Sequence, residues 1–273
     1  MNTMAPSGII TLITDFGLAD PYVGIMKGVI LGLNPNAKLI DITHELTPGD
    51  IIGAAMALKD SFAYFPEGTV HIVVVDPGVG TDRRPLAFLT DRYFFVAPDN
   101  GVLWPIISEN KGTVIHLSNP SFFRHPISNT FHGRDIFAPV AAHISAGIDP
   151  LRMGKVINDP IRLTIPRPIQ EGNLLKGQVV RIDRFGNLIT NIDEKALKEF
   201  LGSSDCIVKV GPIQIYGISS TYADVPIQKE LALVGSSGFL EISVNQGRAD
   251  ARLGIRGSIL NLPVFIEKQG PKH

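Results

Sequence analysis

The chain has 273 residues, 44% hydrophobic and 19% charged, enough to bury a large core and, at this length, to divide it between two domains. A formal net charge of −1 supplies no bulk attraction to nucleic acid or anionic lipid, so neither is expected as a partner. The single cysteine, Cys206, excludes an internal disulfide, fits a reducing cytoplasm, and reads as a small core residue because no Cys-His motif surrounds it.

In chain order, the first apolar run, GIITLIT, meets Asp15 too soon for a signal-peptide core or a membrane span, and no later run reaches spanning length, so a soluble cytoplasmic protein is expected. A helical pattern PYVGIMKGVILGL follows, then the strand KLIDIT, the helix DIIGAAMALKDSFAYF and the strand TVHIVVV. Strands apolar on both faces that alternate with helices predict an α/β unit built on a mostly parallel sheet. Beyond Asp76 the rhythm changes. PLAFLT and RYFFVAP stand too close for a crossover helix, which predicts a hairpin or antiparallel insertion. A short helix GVLWPIISEN, a strand TVIHLS and a helix DIFAPVAAHISAGI complete a first domain over 1–160.

The stretch NDPIRLTIPRPIQEGN, about 158–173, carries three prolines and reads as a linker. From 174 to 273 short β runs dominate: GQVVRID, LITNI, CIVKV, PIQIYGI, LALVG, FLEISV and SILNLPVF, with DEKALKEFL as the one helical pattern. This is the grammar of a small β-barrel or sandwich.

In an open parallel sheet, ligands bind outside the carboxyl ends of the strands. Asp15, Asp41, Asp76 and Asp99 all fall at such ends. Each alone is an ordinary loop cap or turn former; four at equivalent places point to a polar rim that reads a ligand. DPGVG is not a dinucleotide loop, because its third glycine is missing and a strand follows where a helix N-terminus must hold the pyrophosphate. The P-loop pattern is absent, as are HExxH and CxxC, and the DITH cluster at Asp41 to His44 lacks a second cluster at ligand spacing; a metal enzyme stays an alternative. His44, His71, His116 and His143 lie in or beside apolar runs and read as satisfied structural histidines. His132, in SNTFHGRDIFAP, stands immediately before a helix whose cap is expected within Gly133 to Asp135, a place that suits an active site better than a core.

TDFG at 14–17, DITHEL at 41–46, FPEGTVHIVVVDPGVGT at 65–81, APDNG at 97–101, FHGRDIFAP at 131–139, DRFGNLITN at 183–191 and GSSGFLEISVNQG at 235–247 share an order and spacing that resemble the S-adenosyl-L-methionine (SAM) hydrolase family. These enzymes are also called SAM hydroxide adenosyltransferases, and they are relatives of fluorinase and chlorinase. The resemblance implies cofactor-free and metal-free cleavage of SAM by water at ribose C5′, giving adenosine and L-methionine. It also implies a Rossmann-like N-terminal domain joined to a smaller C-terminal β-barrel, in a homotrimer with the substrate between subunits.

By the same resemblance the catalytic set is Asp76, Arg83 and His132, with Asp76 and His132 orienting a water and drawing off its proton while Arg83 stabilises developing hydroxide. Which of the three takes the proton stays open. The family spacing selects Arg83 over Arg84, which then becomes a surface or interface residue. Asp15 is implied as the partner of the ribose hydroxyls, Asn187 as a reader of adenine, and Asp183, Ser236 and Glu241 as holders of the methionine end. Val244 contributes backbone near the purine, and Gly133 keeps the nucleophile pocket small. Gly49 and Pro166 depart from the halogenating relatives, which carry a bulky tryptophan and a polar methionine contact there. A carboxylate at the nucleophile site disfavours halide. A 5′-halo-5′-deoxyadenosine synthase and a non-catalytic adenosine or SAM sensor are the alternatives.

Overall fold

The computed structural model describes residues 4–254 and 261–270. It divides into two compact units, Met1–Leu163 and Thr164–His273.

The first unit runs β1 (Ile9–Thr14), α1 (Tyr22–Leu33), β2 (Lys38–Thr43), α2 (Ile51–Ser61), β3 (Val70–Val74), β4 (Pro85–Leu89), β5 (Phe94–Pro98), α3 (Trp104–Glu109), β6 (Thr113–Leu117), α4 (Ala138–Ser145) and β7 (Gly154–Ile157). Its seven-stranded sheet has the order β2-β1-β3-β5-β4-β6-β7. The pairings β1·β2, β1·β3 and β3·β5 are parallel, whereas β4·β5, β4·β6 and β6·β7 are antiparallel. The sheet is therefore mixed, where the sequence pattern predicts a mostly parallel one. For β4 the cause is connection length. The segments before and after β4 hold no helix, and a parallel crossover needs a dozen or more residues, usually a helix, so β4 folds back against both β5 and β6. The β4·β5 pair is the antiparallel insertion expected from PLAFLT and RYFFVAP.

Helices cover both faces. Met26 and Ile30 of α1 and Val140, Ala141 and Ile144 of α4 bury one apolar layer with Ile10, Leu12, Ile72 and Val74. On the opposite face Ala54, Ala55 and Leu58 of α2 and Ile106 of α3 pack on Ile13, Val73, Phe88 and Phe95. The alternation of strand side chains between these two clusters follows from the two-residue period of a β-strand. Asp50 caps α2 by accepting from Gly53 N at 2.8 Å.

The second unit runs β8 (Ile169–Glu171), β9 (Leu174–Ile182), β10 (Leu188–Asp193), α5 (Glu194–Leu201), β11 (Cys206–Val210), β12 (Ile213–Tyr216), β13 (Glu230–Val234), β14 (Phe239–Val244), α6 (Ala249–Arg252) and β15 (Pro263–Lys268). Its strands form an eight-stranded sheet in the order β12-β11-β15-β9-β10-β14-β13, with β8 on β9. Every pairing between named strands is antiparallel. The end strands β12 and β13 touch, and Ser219 bridges Leu233, so the sheet is nearly closed and barrel-like. Val179, Val208, Leu240, Ile242 and Ile266 fill its interior, and Cys206 is buried among them as a core residue. The strand expected at SILNLPVF begins on Ser258, outside the described residues; its later part falls in β15. The short elements β7, β8 and α6 carry too few residues for a readable period. Among the described residues no helix is long and apolar enough to cross a membrane.

His71 on β3 is fully buried. Its Nδ1 lies 2.8 Å from Thr11 Oγ1, its ring stacks on Phe95 at 5.2 Å, and burial pushes its pKa from 6.5 down to about 3. A folded pKa below the unfolded one contributes stability that is complete above 6.5 and is lost as pH falls towards 3. Thermal or urea denaturation across that window is expected to show one proton's share of the slope, about 1.4 kcal/mol per pH unit, and His71→Leu removes that share.

Candidate active site

The chain leaves β1 through α1, which lies on one face of the sheet, and leaves β2 through α2, which lies on the other, before entering β3 beside β1. Such a switch point opens a crevice at the carboxyl ends of the two adjacent strands. Asp15 follows β1 and Asp76 lies two residues beyond β3. Both line a cavity of about 420 Å³, whose other walls include Phe16, Gly49, Phe131, His132 and Gly133. The structure thus places four sequence-predicted residues, Asp15, Asp76, His132 and Gly133, around one space.

Arg83 ties two of these together without lining the cavity itself. Its Nη2 donates to Asp76 Oδ2 at 2.5 Å and to His132 Nδ1 at 2.8 Å. The side chains of Arg83 and Asp76 are 6% and 5% exposed, and the guanidinium stands over the Phe137 ring at 5.3 Å. A guanidinium only donates, so His132 Nδ1 must accept and the imidazole proton sits on Nε2. Burial and the neighbouring Arg83 charge lower the His132 pKa, in keeping with a neutral ring. Burial pushes the Asp76 carboxyl up, against the opposing pull of Arg83 and, more weakly, His132. Asp76 Oδ1 is buried without a hydrogen-bond partner, and an acceptor left open at a cavity wall is a natural seat for a polar ligand atom.

The loop from Asp76 to Arg83 must turn back on itself to make this contact. Gly80 adopts φ +78°, and a Cβ there would stand 2.2 Å from Asn129 O, so only glycine fits both the backbone and its neighbour. Arg84 points elsewhere. Its guanidinium bonds Asp99 at 2.7 Å and Asp159 at 3.0 Å, which makes it a clamp within the first unit.

His132 begins a π-helical turn, Gly133–Phe137, that continues into α4. Such turns recur at functional sites. Asp135 provides no helix cap in the expected sense. It is fully buried, accepts a bidentate pair from Arg134 at 2.7 Å and accepts Ser128 N at 2.9 Å, pinning the loop that presents His132. Gly133 is small for a packing reason as well: an added Cβ would meet Met26 Sδ at 3.1 Å and the Phe131 ring at 3.2 Å.

Two of the four strand-end carboxylates leave the expected rim. Asp41 lies within β2 and pairs with Lys27 at 2.6 Å and His44 at 3.0 Å. Asp99 is 2% exposed, and its oxygens are taken by Arg84 and by Ile161 N. Both act in structural ion pairs, because basic partners reach them from neighbouring elements.

In the second unit Asp183 Oδ1 accepts Phe185 N and Asn187 N at 2.8 and 2.9 Å, and Asp183 Oδ2 accepts Asn187 Nδ2 at 2.8 Å. Glu241 is buried and its Oε2 accepts Tyr222 Oη at 3.0 Å. Burial, with the Asp183 charge adding, raises the Glu241 pKa, and burial with Glu241 nearby pushes Tyr222 up to about 12. Ser236 is exposed on the turn between β13 and β14, and the Val244 side chain belongs to the barrel core. Tyr222 escapes a motif reading because its signal, one tyrosine in a polar loop, resembles ordinary turn chemistry. Phe16 and Phe131, which wall the cavity and meet each other and Tyr22 at 5.3–6.0 Å, sit inside TDFG and FHG but carry no polar mark.

Residues 10–154 match the family profile described as the SAM hydroxide adenosyltransferase N-terminal domain, and residues 177–258 match its C-terminal domain. A relative from Thermus thermophilus named (R)-S-adenosyl-L-methionine hydrolase is 36% identical over 89% of this chain and 94% of its own. A fluorinase from an Actinoplanes species is more distant, at 29% identity over 70% of this chain and 74% of its own. A crystal structure of an uncharacterized conserved protein from Thermotoga maritima superposes with a TM-score of 0.85 at 37% identity, over 94% of this chain and 99% of that one.

Removing the Arg83 guanidinium strands the Asp76 carboxylate in a buried place. Arg83→Met is expected to cost about 3–5 kcal/mol in urea denaturation, the usual penalty for breaking a buried pair from one side. Adding Asp76→Asn to that variant recovers part of the loss, because the uncompensated charge is gone.

Proposed function

The chain belongs to the SAM hydroxide adenosyltransferase family, and on that premise we propose that it hydrolyses S-adenosyl-L-methionine, with water attacking ribose C5′ to release adenosine and L-methionine. The observation that carries this reading is the buried Arg83 bridge between Asp76 and His132 beside the cavity, with Asp76 Oδ1 left open.

The chemistry asks little beyond the nucleophile. As the C5′–O bond forms, the C5′–S electron pair passes to sulfur, and the sulfonium becomes a neutral thioether that needs no acid. One water proton must leave. His132 is poorly placed to take it, since its free lone pair at Nδ1 already faces a cation. We assign the proton to Asp76 Oδ1: burial raises the basicity of this carboxylate, and Arg83 holds it through the other oxygen. His132, with its proton on Nε2, orients the water. Holding water in line behind C5′ substitutes for the entropy of encounter, an effect worth about 7–11 kcal/mol in well-oriented systems. The same buried carboxylate disfavours chloride or fluoride as nucleophile.

Asp15 fits the ribose hydroxyls: its Oδ2 is steadied by Gly49 N at 2.7 Å, and its carboxylate retains lone pairs for both hydroxyls. Gly133 leaves room for the nucleophile. Asn187 suits adenine, Asp183, Ser236 and Glu241 suit the methionine end, and Val244 offers backbone near the purine. We read the first unit as Rossmann-like, on its 2-1-3 strand order with helices on both faces, and set domain limits at 1–160 and 174–273 with 158–173 as the connection. A cytoplasmic homotrimer with sites between subunits completes the proposal. The exposed apolar residues Tyr22, Ile25 and Leu33, on one side of α1, support self-association.

Incubation with SAM in isotopically labelled water is expected to give adenosine and methionine in equal amounts, with the label on the 5′-oxygen of adenosine. Asp76→Asn is expected to lower kcat by about 10²-fold or more, the share of a positioned base. A halogenated nucleoside as the main product in chloride, or binding without turnover, goes against the proposal. Light scattering after gel filtration is expected to report three chains.

A further inference from the structure

The turn that carries Asp15 and the segment that carries Gly49 are stitched together at three places. His44 Nδ1 lies 2.8 Å from Thr14 Oγ1, with both side chains buried. Gly17 N donates to His44 O at 2.8 Å. Gly49 N donates to Asp15 Oδ2 at 2.7 Å. Thr14 Oγ1 also accepts Phe16 N at 3.3 Å, and its own proton can donate to His44 Nδ1. The Asp41 carboxylate favours the ring proton on Nε2, which faces Asp41 Oδ1 at 3.0 Å, close though not aligned as a hydrogen bond. Asp41 Oδ2 in turn accepts Lys27 Nζ at 2.6 Å. His44 is 3% exposed and does not line the cavity, yet its ring and its carbonyl grip the two ends of the Thr14–Gly17 turn.

We propose that His44 is a positioning residue for nucleoside recognition. By tying Thr14 and Gly17 to the segment that ends on Gly49, it fixes where the Asp15 carboxylate meets the ribose hydroxyls, a role that rests on the hydrolase reading of the cavity. Without the ring, the turn and the carboxylate must be ordered when the nucleoside arrives, and that ordering is subtracted from affinity.

The test compares adenosine with 2′,3′-dideoxyadenosine by isothermal titration, for the wild-type protein and for His44→Ala, His44→Asn and Thr14→Val. Wild type prefers adenosine. In His44→Ala and Thr14→Val that preference is expected to shrink about tenfold, the size of a weakened hydrogen bond to a charged group, while dideoxyadenosine binds as before. His44→Asn, which returns an acceptor oxygen near the Nδ1 position, recovers most of the preference. The Ala/Val double variant is no worse than either single one, and KM for SAM follows the adenosine affinity with a smaller fall in kcat. Thr14→Val, close to isosteric, keeps the test open should His44→Ala fail to fold. A preference unchanged from wild type, an equal weakening of both nucleosides, or a wild type that does not discriminate between them overturns the proposal. Failure of the hydrolase reading is separate: it is seen when wild-type protein releases no adenosine from SAM.

Discussion

A buried guanidinium charge needs a counter-charge, and Arg83, 6% exposed, finds one in Asp76 through Nη2, while its Nε and Nη1 are buried without partners among the described residues. That requirement organises its surroundings. Asp76 comes from the end of β3, His132 from the start of the π-helical turn, and Arg83 itself from the residues that lead into β4. One nitrogen, Nη2, touches both partners, so the loop between Asp76 and Arg83 must fold back tightly, which is why Gly80 carries no side chain. The pair also sets protonation. A cation that donates to His132 Nδ1 keeps the ring neutral, and the same cation holds Asp76 through one oxygen while leaving the other open.

The sheet decides where this can happen. Because α1 and α2 cover opposite faces, the carboxyl ends of β1 and β3 form a notch with room for a ligand, and Asp15 and Asp76 stand on its two sides. The π-helical turn brings His132 to the same notch from behind, held by the buried carboxylate of Asp135. Each wall has its own anchor. The first is knitted to the segment 43–49 through His44, the second to the β4 side of the sheet through Arg83, and the third to α4 through Asp135.

The aspartates of the first unit show how environment separates residues of one kind. Asp99 and Asp135 are buried with their oxygens satisfied by basic side chains and backbone amides, and they brace loops. Asp41 is paired with Lys27 and has His44 Nε2 beside its other oxygen. Asp15 is steadied by one amide. Asp76 alone among these five keeps a buried oxygen without a partner. That difference, invisible in residue type, sets it apart from the other four. In the second unit, Asp183, Asn187, Tyr222 and Glu241 form a cluster of their own, in which burial and the one neighbouring carboxylate, Asp183, raise the cost of ionising Glu241.

Much was legible in the residues. Apolar runs interrupted by Gly, Pro and Asp located β1, the edge strand β2, β3 and the helices between them; β1 and β3 are buried on both faces, which leaves a continuous hydrophobic run. The close spacing of PLAFLT and RYFFVAP foretold an antiparallel pair. Motif order pointed to the family, and the resemblance implied Asp76, Arg83 and His132. Short elements such as β7 and α6 were not legible, since a handful of residues carries no period. What only the tertiary structure decided is which polar side chains face each other. The resemblance preferred Arg83 to Arg84, but what each one meets is visible only in the fold: adjacent side chains point to opposite sides, so Arg83 meets Asp76 and His132 while Arg84 meets Asp99 and Asp159. The four strand-end aspartates are equal in sequence, and their roles follow from the basic groups that the fold brings to two of them. A sequence determines the kinds of groups and their intervals along the chain; the pairing of charges depends on distances across the chain, and these exist only once it is folded.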